Sequence, residues 1–172
     1  MRIPCSIKLV MSALGIAYPL LLLWEIAVLF SGYNIGHASA LATTLVVQLL
    51  TFIALSLLVL YMPETSIFVC IFYLVVSLLN LGALLVSFAQ VYAFGGLIDP
   101  EGKITRDPAE CLYFSAITWT TVGYGDFRPT AANRSYAAIE ALSGTVFLAI
   151  FIATLVRAAS FPKLRGDSSV SR

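Results

Sequence analysis

The chain has 172 residues and a formal net charge of +1; 60% of it is hydrophobic and 11% charged, at a mean hydropathy of +0.95. This excludes an ordinary soluble core, where about a quarter of the residues are charged, and fits a chain built inside a bilayer. No nucleic-acid partner is expected.

The first apolar stretch, 9–30, follows Arg2 and Lys8 and supplies the ~20 helical residues that cross a ~30 Å hydrocarbon layer. Behind it, His37-Ala38-Ser39-Ala40 contains an Ala-x-Ala pattern. The apolar run exceeds the ~7–15 residues of a signal-peptide core, so it reads as an uncleaved first helix. Glu25, beside Trp24, is the only charge within the first two stretches and reads as snorkelling near the outer end of its helix rather than paired. A second stretch, 41–61, ends at Met62-Pro63-Glu64-Thr65, a link so short that the second and third spans must be antiparallel neighbours. Between Lys8 and Lys103 the sequence has no lysine or arginine. A voltage sensor needs several cationic charges, each worth only ~2.3 kcal/mol per 100 mV, so these two helices are not one. Cys5, Cys70 and Cys111 lie in three different regions without metal-like spacing and read as small apolar fillers.

The third stretch, 67–94, precedes a polar segment that ends in Asp107-Pro108-Ala109-Glu110. Asp as N-cap, Pro at the first position and Glu three residues after the cap announce a helix. Running to about Trp119, it would be ~18 Å long, too short to cross and therefore re-entrant, with its C-terminal end beside the segment that follows.

That segment reads Thr121-Val122-Gly123-Tyr124-Gly125-Asp126. A strand alternates its carbonyls, but glycine tolerates positive φ, so Gly123 and Gly125 alternating with Val122 and Tyr124 can turn successive carbonyls toward one axis. The run resembles the selectivity filter of potassium channels, known for this Thr-Val-Gly-Tyr-Gly loop. The resemblance implies that the backbone carbonyls of Thr121, Val122, Gly123 and Tyr124, with the Thr121 hydroxyl, coordinate K+ as the permeant ion, with no organic cofactor. Thr120, Gly125 and Asp126 would support the loop, and Tyr113 would hydrogen-bond Asp126. A closed ring of carbonyls needs several copies, so the implied partner is the chain itself, as a homotetramer within membrane lipid. Four flanking residues depart from the family pattern. Tyr113 and Phe114 stand where many relatives carry two tryptophans, and Phe114 cannot brace the Tyr124 phenol. Ile117 stands where some bacterial channels place a glutamate. Arg128 stands at the outer mouth, where aromatic rings often hold quaternary ammonium blockers; pairing with Asp126 is its other reading.

The fourth stretch, 137–159, contains Glu140-Ala141-Leu142-Ser143-Gly144. Gly144 falls near the gating-hinge glycine of related inner helices, and a hinge and a close-packing role both stand open. If that alignment holds, Thr145, Leu148, Ile152 and Val156 share one face and line the cavity and gate. Glu140 is costly in a bilayer unless paired, and reads as a structural hydrogen bond to the filter scaffold, with gating as the alternative. The tail is polar and basic, and reads as disordered or facing lipid.

The expected fold is an all-α integral membrane chain of four transmembrane helices, one re-entrant pore helix and a filter loop. Its division is an N-terminal hairpin (1–63), a pore domain (64–160) and a short cytoplasmic tail (161–172). Both termini are expected in the cytoplasm of a bacterial or archaeal cell. The functional expectation is a passive potassium-selective channel and not an enzyme; a weakly selective cation channel and a non-conducting regulatory or structural subunit are the alternatives.

Overall fold

Long uninterrupted apolar sequence has one way to satisfy its backbone in lipid, which is to coil into helices. The structure, a computed structural model describing residues 5–31, 38–61 and 67–160, contains four long helices: α1 (Cys5–Ser31), α2 (Ala38–Tyr61), α3 (Ile67–Gly95) and α5 (Arg134–Ser160). Among the described residues, apolar windows long enough to cross a membrane occupy Thr43–Leu60, Phe68–Gly95 and Arg134–Arg157, while the apolar part of α1 is Pro19–Phe30. The expectations for His37, the 62–65 link and the 161–172 tail lie outside the described residues.

Helix α3 is the centre of the bundle and packs against every other helix. The directions follow from paired residues. Gln48 meets Ser87 while Ser56 meets Tyr73, so α2 runs antiparallel to α3. Leu22 lies against Gly82 and the Glu25 carbonyl accepts from Gln90, so α1 runs parallel to it. Tyr92 meets Glu140 while Tyr73 packs on Phe151, so α5 returns antiparallel. Between lipid-facing helices, packing and polar contacts replace the hydrophobic drive of water. Here an aromatic column supplies much of that packing: Phe52 stacks on Phe147 at 3.9 Å, and Phe147 meets Phe151 and Trp119 at 6.1 and 5.7 Å. Each such pair contributes about 0.5–1.5 kcal/mol beyond its buried area.

The fifth helix, α4 (Pro108–Trp119), has the start and length that its sequence predicts. Asp107 Oδ2 accepts from the N–H groups of Ala109 and Glu110 at 3.0 and 3.1 Å. The Glu110 carboxylate does not close a capping box; it accepts from Thr105 Oγ1, whose oxygen in turn takes the Asp107 N–H at 3.2 Å. Removing the cap in Asp107→Ala is expected to cost about 1 kcal/mol, read as a lowered thermal midpoint of the solubilised protein, with Asp107→Asn close to wild type.

The all-α expectation needs one correction. Two-residue strands β1 (Leu97–Ile98), β2 (Ile104–Thr105) and β3 (Arg128–Pro129) form an antiparallel sheet in the order β2-β1-β3. Such strands are too short to show periodicity in sequence. The sheet brings the segment after α3 beside the residues that follow the 120–126 loop, pairing Ile98 with Arg128. Helix α5 also starts earlier than hydropathy indicates, because Asn133 sits just before it and its carbonyl accepts from Ala137 N at 3.0 Å.

Candidate functional site

The 120–126 loop leaves the end of α4 and turns back on it. Thr120 closes the helix, its hydroxyl bonded to Ala116 O at 2.7 Å. Thr121 N then donates to Thr118 O, and the N–H groups of Val122 and Gly123 both donate to Ile117 O, at 3.0 and 3.2 Å. The loop therefore spends N–H groups on the helix, while no backbone hydrogen bond among the described residues uses the carbonyls of 121–124.

Its dihedrals alternate. Thr121, Gly123 and Gly125 have φ of 58°, 50° and 79°, with Val122 and Tyr124 between them outside the positive-φ region. The glycines were legible in sequence, but Thr121 was not, since a β-branched residue at positive φ is a genuine outlier whose cost is of order 1–3 kcal/mol. It persists because its neighbours' N–H groups are tied to α4 on both sides.

Tyr113 Oη donates to Asp126 Oδ2 at 2.7 Å, the contact implied by the resemblance, and Phe127 N donates to Oδ1 at 3.0 Å. The Tyr113 hydroxyl, followed by nearby backbone N–H groups and opposed by partial burial, holds the Asp126 carboxyl below the usual carboxylate range. The same hydrogen bond raises the Tyr113 phenol. A depressed carboxyl stabilises the folded loop above its ordinary value near ~3.9, and that contribution disappears as pH falls through the lowered one. Tyr113→Phe has already lost it. The gap in thermal midpoint between wild type and Tyr113→Phe is therefore expected to be open at about pH 7 and to close toward about pH 3; a constant gap would contradict the assignment.

Arg128 lies exposed on β3 and makes no ion pair with Asp126, whose two oxygens are already engaged. Phe114 is buried and meets Tyr92 edge-on at 4.8 Å, so it faces α3. Tyr124 is 72% exposed, and Val122 52%. Ile117 is buried behind the loop.

Glu140 is fully buried, where its carboxylate accepts from Tyr92 Oη of α3 and lies against Ser115 Oγ of α4. Ser115 Oγ is also 2.9 Å from Leu85 O. Three helices thus meet at one acid. Ser115 and Tyr92 were not singled out from sequence; the available signal was a hydroxyl on the buried face of α4 and another near the end of α3. Gly144 is buried where a Cβ would lie 2.3 Å from Trp119 O, the carbonyl just before the loop. Close packing is therefore the role the structure shows for this glycine. Thr145, Leu148, Ile152 and Val156 are all exposed and share the side of α5 away from Glu140, Gly144, Phe147 and Thr154.

No curated protein and no solved structure matches the chain. A family model described as "Ion channel" matches residues 81–160, from the middle of α3 through α4 and the loop to the end of α5. Residues 81–160 are therefore similar to the pore segment of ion channels, and this match, together with three helices long and apolar enough to cross a membrane among the described residues, supports a membrane-spanning ion channel.

Proposed function

We propose that the chain is a passive potassium-selective channel whose 120–126 loop is the filter, working as a homotetramer. The observation that carries this reading is the alternation of Thr121, Gly123 and Gly125 at positive φ with loop N–H groups held on α4. Such a backbone turns successive carbonyls the same way and leaves them free to replace the hydration shell of K+, with the Thr121 hydroxyl at the inner end. One copy supplies one wall. The exposure of Val122 and Tyr124, and of Leu142 and Leu148 at 70% and 56%, fits a chain whose remaining walls come from other copies. In this reading residues 64–160 form the pore, and 1–63 a hairpin attached to it. Thr145, Leu148, Ile152 and Val156 line the water-filled cavity and the inner constriction. Both termini face the cytoplasm.

Flux from liposomes containing the purified chain tests the proposal. A reversal potential that follows the potassium gradient, unchanged by sodium, supports it. Equal sodium flux would make the channel weakly selective, and no flux under any gradient would favour a regulatory or structural subunit.

Arg128 adds a sharper expectation. Four exposed guanidinium groups around the mouth offer no cation–π cage, so external tetraethylammonium should block only weakly, and Arg128→Tyr should strengthen the block. Strong block of the wild-type channel at low blocker concentration would contradict this.

A further inference from the structure

The front of the chain contains a second buried acid. Glu25, on α1, is 4% exposed and so does not snorkel as its place beside Trp24 suggested. Trp24, at 66% exposure, faces outward, and Glu25 faces inward. Helix geometry sets neighbouring side chains about 100° apart, and α3 lies on the Glu25 side.

Glu25 closes a polar cluster drawn from three helices. Its Oε1 accepts from Gln48 Nε2 of α2 at 2.6 Å. The Gln48 side-chain amide also reaches Ser87 Oγ of α3 at 3.2 Å, and the Gln48 backbone carbonyl accepts from Asn80 Nδ2 at 3.3 Å. Gln90 Nε2 donates to the Glu25 backbone carbonyl at 2.9 Å. The other carboxyl oxygen, Oε2, is buried and has no hydrogen-bond partner among the described residues.

An ionised carboxylate buried among neutral donors alone is among the costliest arrangements a bilayer protein can hold. The one lysine of α1, Lys8, lies ~25 Å along the helix from Glu25, and the sequence has no lysine or arginine between it and Lys103. The titratable groups of α3 are engaged elsewhere or distant: Tyr92 bonds Glu140, Tyr73 bonds Ser56, and Cys70 lies ~25 Å along the helix from Ser87. The titratable residue of α2 is Tyr61, ~20 Å along the helix from Gln48, and His37 is outside the described residues.

We propose that Glu25 is an intramembrane proton-binding site, whose bound proton holds the α1–α2 hairpin docked on α3. A proton on the unpartnered oxygen converts the acid to a neutral donor beside a cluster of hydroxyl and amide oxygens. Loss of that proton leaves a bare charge in the same apolar place, and the hairpin loosens. The cluster spans the same turns of α3, from Asn80 to Gln90, that hold Ser115 through Leu85, so docking reaches the pore helix through α3.

The test measures docking and needs no conduction. Spin labels at the lipid-facing positions Leu23 of α1 and Leu78 of α3, in the full chain with its three native cysteines replaced, report their separation in liposomes. In the Glu25 protein the distance is expected to be short and narrow at about pH 5, and longer and broader at about pH 9. Glu25→Gln should keep the short distance at both, and His37→Gln should behave as the parent. A parent distance that ignores pH overturns the proposal. So does a pH response that survives Glu25→Gln, disappears in His37→Gln, or follows sodium or potassium concentration instead. Should Glu25→Gln fail to fold, the parent and His37→Gln responses still decide. A carboxylic-acid infrared band that fades as the distance lengthens gives an independent readout.

Discussion

Glu140→Ala is expected to lower the stability of the solubilised protein by roughly 2–5 kcal/mol, the combined cost of a cavity and a buried Tyr92 hydroxyl deprived of its acceptor, while Ser115 Oγ keeps Leu85 O. The carboxylate is the one group that joins α5 to Tyr92 of α3 and Ser115 of α4, so its removal loosens two contacts at once. Glu140→Gln keeps an acceptor oxygen in the same place and should cost less than half as much. Thermal unfolding of the two variants checks the ordering. If alanine and glutamine are equally mild, the acid is not a structural tie, and its retention in the span would point to gating. A double change, Glu140→Ala with Tyr92→Phe, should cost less than the sum of the singles, because the phenol left unpaired by the first is removed by the second.

The second large effect is expected at Gly144. In an exposed helix, replacing glycine by alanine stabilises by about 1 kcal/mol, and a free hinge would behave that way. Here the added Cβ would sit 2.3 Å from a backbone carbonyl, an approach that only a shift of α4 or α5 can relieve. Overpacking of this kind costs about 1–3 kcal/mol, so Gly144→Ala should be destabilising, and Gly144→Val more so. The displaced atom belongs to Trp119, immediately before Thr120 and Thr121, so ion flux should fall even where the fold survives. A stabilised, fully conducting Gly144→Ala channel would restore the hinge reading.

The parts of this fold that sequence revealed are those written in long or local signals. Apolar runs gave four helices to within a few residues, and Asp107-Pro108 gave the start of α4. Gly123 and Gly125 marked where the loop backbone turns. What sequence concealed depends on which residues face each other. Glu25 and Trp24 are equally compatible with an outer helix end; only the packing of α1 on α3 turns the acid toward Gln48. Ser115 reads as one more small residue until α5 brings Glu140 against it. Thr121 takes a conformation its own side chain disfavours, imposed by hydrogen bonds on both sides. The sheet escaped because its strands hold two residues each, shorter than any period.

That small sheet has a mechanical consequence. The Gly95 end of α3 is fastened to the chain on both sides of the loop: β1 pairs with β2 before α4 and with β3 after the loop, while Thr130 bonds Gly95 O and Asn133 bonds Gly96 O at the head of α5. Helix α5 is therefore pinned at its head, and Ile152 and Val156 lie ~25–35 Å further along it. Any displacement of α5 against α4 would act where Gly144 meets the carbonyl that precedes the loop.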